Sequence, residues 1–84
     1  MEKHIIIGVH VTDRLKKVET VQKLFSDYGC HIKTRLGLHE VENACSPNGL
    51  ILLEMYGDEF VCDELADKLT TIEGIEVQKM VFGH

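Results

Sequence analysis

Apolar and polar residues alternate with a period of two over residues 4–11. Ile5, Ile7, Val9 and Val11 share one side of a predicted strand, and His4, Ile6, Gly8 and His10 share the other. The period then changes to that of a helix: Leu15, Val18, Val21, Leu24 (with Phe25) and Tyr28 form one apolar stripe. Thr12 or Asp13 is placed to cap this helix, whose first N–H groups need an acceptor. Gly29 is placed to end it in a left-handed conformation. Alternation returns over residues 30–38, where Cys30, Ile32, Thr34, Leu36 and Leu38 are expected toward the helices. His31, Lys33, Arg35, Gly37 and His39 then face away. Residues 39–48 form a polar connection with the only proline, Pro47, and an Asn48-Gly49 turn signal.

A third strand follows over residues 49–56, with Ile51, Leu53 and Met55 on one side and Leu50, Leu52, Glu54 and Tyr56 on the other. Asp58 opens a second helix whose stripe is Phe60, Val61, Leu65, Leu69 and Ile72, with Ala66 beside it. Gly74 ends that helix, and residues 75–82 form the last strand with Ile75, Val77 and Val81 inward.

These elements repeat at a fixed offset. Asp13 corresponds to Asp58, Leu15 to Phe60, Lys23 to Lys68, Leu24 to Leu69, Gly29 to Gly74 and Ile32 to Val77. A strand–helix–strand unit written twice predicts an α+β, ferredoxin-like βαββαβ fold: a four-stranded antiparallel sheet with two helices on one face. Residues 1–84 read as a single domain.

The helix-free face would then carry Ile6, Leu50, Leu52, Tyr56, Met80 and Phe82, together with Gly8, His10, Lys33, Arg35, Glu54 and Gln78. A sheet face left to solvent normally alternates to polar residues, and a contiguous apolar patch marks an interaction surface. The expected partner is a second copy of the chain, as a homodimer or a dimer-based higher oligomer. A few tolerated surface hydrophobics would be the plainer explanation.

Charge narrows the other partners. Net charge is −5 and the nine Lys and Arg residues are scattered, which argues against a nucleic-acid surface. The apolar runs at 5–7 and 50–53 are too short to span a membrane, and no signal-peptide pattern opens the chain. Three cysteines without close pairing (Cys30, Cys45 and Cys62) suit reduced thiols in a cytoplasm.

Candidate chemistry is sparse. His39, Glu40, Glu42 and Cys45 lie close together in the chain, and imidazole with thiolate suits a divalent transition metal such as zinc or nickel. His10 could join His39 and Cys45 across a dimer. No established ligand spacing supports the set, and a polar loop with an incidental thiol accounts for it as well. Cys62 sits early in the second helix, where the helix dipole could lower its pKa, unless it is simply a small packed residue. Arg35, two residues before Gly37, could hold a carboxylate or phosphate bidentately, or pair with Glu54. There is no nucleophile elbow, phosphate loop or GxGxxG fingerprint. The chain therefore reads as no enzyme, with a small enzyme or enzyme subunit as the lesser alternative, and no cofactor is required by it.

Several of these residues also carry a family likeness: Val11-Thr12-Asp13-Arg14, Asp27-Tyr28-Gly29, Ile32, Arg35-Leu36-Gly37, Gly49-Leu50-Ile51, Leu65 with Lys68-Leu69, and Gly74-Ile75-Glu76-Val77-Gln78. With them the chain resembles the iron-only hydrogenase system regulators, short stand-alone proteins of ACT-like ferredoxin fold. That fold is similar to the sensor domain of the nickel-responsive repressor. The resemblance implies a non-enzymatic regulatory module, linked to transcription, that takes an effector or a regulatory protein. It also implies an effector site near the first strand–helix turn, where Thr12 and Asp13 lie, with Arg35 and Gly37 as further candidates. Metal sensing through the 39–48 loop is the alternative that the nickel-repressor likeness leaves open.

Overall fold

The computed structural model describes residues 3–12, 16–39 and 49–83. In chain order the elements are β1 (His4–Val11), α1 (Val18–Asp27), a 3₁₀ turn (Gly29–His31), β2 (Ile32–His39), β3 (Gly49–Met55), α2 (Glu59–Thr70) and β4 (Ile75–Phe82). The strands form one antiparallel sheet in the order β2-β3-β1-β4. This is the predicted α+β, βαββαβ architecture.

β1 occupies the interior of the sheet, and its inward residues Ile5, Ile7 and Val9 are almost fully buried. They pack with Leu53 and Met55 of β3, Val21 and Phe25 of α1, Tyr28 just beyond it, Cys62, Leu65 and Leu69 of α2, and Ile72. Burial of apolar area on this scale is the main force holding so small a domain together. Tyr28 also ties the helices together: its hydroxyl donates to Glu64 at 2.9 Å and Lys68 lies over its ring at 5.1 Å.

The two halves are built differently at their joints. In the second half the Asp58 carboxylate accepts the Phe60 N–H at 2.9 Å, the predicted cap; α2 ends at Thr70 with Thr71 as its C-cap, so Gly74 does not end the helix as expected but turns the chain into β4 at φ of 91°. In the first half α1 begins only at Val18, with Lys17 at the cap position and no side-chain cap. Thr12 is not at its cap position, six residues before Val18; its N–H and hydroxyl both donate to the Gly74 carbonyl, at 2.9 and 3.0 Å. The Asp13 alternative lies outside the described residues. Nor is Gly29 left-handed, since the positive-φ glycines among the described residues are Gly57 and Gly74. Instead the chain tightens into the 3₁₀ turn, with the His31 N–H donating to the Tyr28 carbonyl at 2.9 Å. The His31 carbonyl then accepts the Tyr56 N–H at 2.6 Å, which ties the turn to the end of β3.

Two helix positions also depart from expectation. Phe60 is 73% exposed, whereas Cys62 is buried and completes the stripe with Leu65 and Leu69. Phe60 is the second residue of α2 and points off the sheet, while 62, 65 and 69 follow one helical face. Val18, the first residue of α1, is likewise exposed.

The largest departure is in β2. Ile32 lies opposite Met55 on the helix side, but Thr34 lies opposite Glu54 on the other side. A β-bulge sits between them, and Lys33 is the extra residue. An extra residue reverses the face of everything that follows it in a strand. Arg35 therefore lies opposite buried Leu53, on the helix side, and its guanidinium sits 4.6 Å from the centroid of the Phe25 ring. It also donates to Gln22 Oε1 at 3.3 Å. The outward placement of Arg35 and its pairing with Glu54 are thus corrected. Thr34 and Leu36, expected inward, are on the helix-free face.

Candidate functional site

The helix-free face of the sheet can be read row by row from the strand register. Leu36 lies beside Leu52, Leu52 beside Gly8, and Gly8 beside Gln78. In the next row Thr34, Glu54, Ile6 and Met80 are neighbours. In the row on the other side Leu50, His10 and Glu76 are neighbours. His4 and Phe82 face each other at the far end, with ring centroids 6.2 Å apart. Leu36, Met80 and Phe82 are each about half exposed, at 50%, 51% and 48%. Ile6, Leu50 and Leu52 are half-buried within the sheet surface. Five of the six predicted interface residues are thus contiguous here, joined by Leu36. Tyr56, the sixth, is exposed just beyond β3 and lines a polar hollow with Lys3, His4, Lys33 and Glu54.

The polar side chains on this face sit mainly at its edges. His4 Nε2 and Glu54 Oε2 are 2.8 Å apart, and the Thr34 hydroxyl donates to Glu54 Oε1 at 2.9 Å. These hydrogen bonds, the His4 one foremost, hold the Glu54 carboxyl below its usual range. At the opposite end His10 Nδ1 lies 3.9 Å from Glu76 Oε1. That is an ion-pair distance, not a hydrogen bond.

The centre of the face is hollow. Gly8 contributes no side chain, and a groove of about 270 Å³ lies over it, lined by Ile6, His10, Leu50, Glu76, Gln78 and Met80. Most of its wall is apolar. A concave apolar site with a few polar groups at one end is the ordinary form of a binding site.

The other candidate residues are scattered. Thr12 is at the end of β1 against Gly74, and Asp13 beside it lies outside the described residues. Arg35 and Gly37 are on the helix side of β2, with Gly37 opposite Ile51. His10 is on the helix-free face. The backbone of His39 pairs with Gly49, whereas its side chain and Cys45 lie outside the described residues. Among the described residues, no three His, Cys, Asp or Glu side chains come together as a metal-binding group. Burial is the chief cause that pushes the Cys62 thiol up, followed by Asp63, so the helix dipole does not activate it.

Sequence reading missed Leu36 and Thr34 because a bulge leaves no mark in the alternation. It also passed over Glu76, although the period of two through Gln78 and Met80 places it on the same face.

The whole fold is similar to that of a known structure. Uncharacterized protein TM1266 from Thermotoga maritima matches it with a TM-score of 0.82 and 26% identity, over 98% of this chain and 100% of that one. No family model matches the chain, and no curated protein matches it. The likeness carries the α+β architecture across the full length of the domain. Among the described residues no helix is long and apolar enough to cross a membrane.

Proposed function

We propose that this chain is a non-enzymatic, ACT-like regulatory module. It self-associates through the helix-free sheet face and responds to an effector or protein partner. The observation that carries this reading is the contiguous apolar surface of Ile6, Leu36, Leu50, Leu52, Met80 and Phe82, which no element of the described chain covers. A face of four strands about 4.8 Å apart and eight residues long spans roughly 19 by 26 Å. With side-chain relief its area is of the order of the roughly 800 Å² per partner found in specific interfaces.

Both partners of a symmetric pair would present the same patch, which suits a surface apolar in the middle and polar at its ends. The resemblance to iron-only hydrogenase system regulators supports a regulatory role, with transcription linked to that system as its setting. An effector that binds one association state better than the other would shift the balance between them. Leu52→Glu places a charge at the middle of the patch. It is expected to elute as a monomer in size-exclusion chromatography while the unsubstituted chain elutes as a dimer or larger. Identical elution volumes for the two would refute the reading.

A further inference from the structure

The groove over Gly8 has a definite chemistry of its own. Ile6 and His10 flank Gly8 along β1, and the four-residue span between them is roughly 13 Å. That length suits a small molecule. Leu50 forms one wall and Met80 with Gln78 the other. The charged end is acidic: Glu76 is exposed, and its ion-pair partner among the described residues is His10, beyond hydrogen-bond reach at 3.9 Å. The Gln78 amide beside it can accept a further hydrogen bond. The chain as a whole carries −5, which favours the approach of cations.

The geometry points to a binding site for a small apolar molecule bearing one protonated amine. The apolar body lies over Gly8 between Leu50 and Met80, and the ammonium meets the Glu76 carboxylate. A ligand with a carboxylate would meet like charge there, and a neutral one would gain the apolar contact alone. Binding uses residues of one chain, but Ile6, Leu50 and Met80 also belong to the face proposed for self-association, so the amine and a second copy compete for it; only this effect on assembly rests on that reading.

The test is titration of isotope-labelled protein with 2-phenylethylamine, 2-phenylethanol and phenylacetate, three probes of similar shape and different charge. Amide shifts at Ile6, Gly8, His10, Gln78 and Met80 report the site, and sedimentation is measured in parallel. The amine is expected to bind about tenfold more tightly than the alcohol, with phenylacetate weakest. Glu76→Gln should bring the amine down to the level of the alcohol. Gly8→Val should remove binding of all three. A Cβ at Gly8 meets Gln78 O and Leu52 Cδ2 at 3.8 Å, an ordinary contact, and valine favours strands; a thermal unfolding curve of the variant, read beside Glu76→Gln, separates lost binding from lost fold. Equal binding of the three probes, shifts outside the groove, unchanged binding by Gly8→Val, or no binding of the amine up to about 10 mM would each overturn the inference. A dimer that ignores the amine overturns the site and spares self-association. A monomer that binds the amine does the reverse.

Discussion

Leu52 and Leu53 are neighbours in the chain and opposites in the fold. Leu53 points to the helices and is fully buried against Ile7 and Leu65, members of one core cluster. Leu52 points the other way, beside Gly8 and Leu36, where no element of the described chain covers it. Both faces of β3 are apolar, yet the described elements cover only one of them. The covered face explains stability. An apolar surface that the described elements leave open has the character of a binding face, as proposed above.

Truncation at these two positions should separate the roles most strongly. Leu53→Ala removes buried contacts and leaves a cavity, so it should cost about 3 kcal/mol of unfolding free energy in a denaturant titration. Leu52→Ala should cost roughly 1 kcal/mol or less when unfolding is measured under dissociating conditions, and should instead weaken self-association. Equal losses of folding stability would erase the distinction between the faces.

The helix joints sharpen the same contrast on a smaller scale. Asp58→Ala removes a side-chain cap of a kind that Lys17 does not give α1, and should cost about 1 kcal/mol. Phe60→Ser should change stability by less than about 0.5 kcal/mol, because this aromatic stands in solvent two residues beyond the cap. A larger loss would mean that Phe60 belongs to an interface, and the sedimentation of the variant would show it.

The smallest effect concerns the edge of the open face. Glu54 is held below its ordinary value of 4.5 by hydrogen bonds from His4 and Thr34. A carboxyl with a lowered folded-state pKa adds stability that is fully present above its unfolded value. That stability is lost as pH falls through the folded value. The acid limb of thermal unfolding should therefore flatten in Glu54→Gln relative to the unsubstituted chain. Superimposable limbs would show that the His4–Glu54 contact contributes nothing in solution.

The architecture was legible because its signals are local and repeated. The Asp58 cap and the alternation of β1, β3 and β4 each fix an element through its own chemistry. In the first half the same signals misled. Gly29 matches Gly74 in sequence but has no positive φ, and the chain leaves α1 through a 3₁₀ turn; α1 starts only at Val18, and Asp13 lies outside the described residues. The open face was legible in β1, β3 and β4 and not in β2, where Lys33 at the bulge exchanges Arg35 for Leu36. Residue spacing cannot reveal such an insertion, because each half of the strand alternates correctly on its own. The groove was hidden for a different reason: it comes from the juxtaposition of Gly8 with side chains of β3 and β4, distant in sequence.

Native mass spectrometry of untagged protein tests the open face most directly, since it reads the assembly state and any bound mass together. The account predicts a dimer or a dimer-based oligomer that collapses to monomer in Leu52→Glu. A monomeric unsubstituted chain at the same concentration would contradict it.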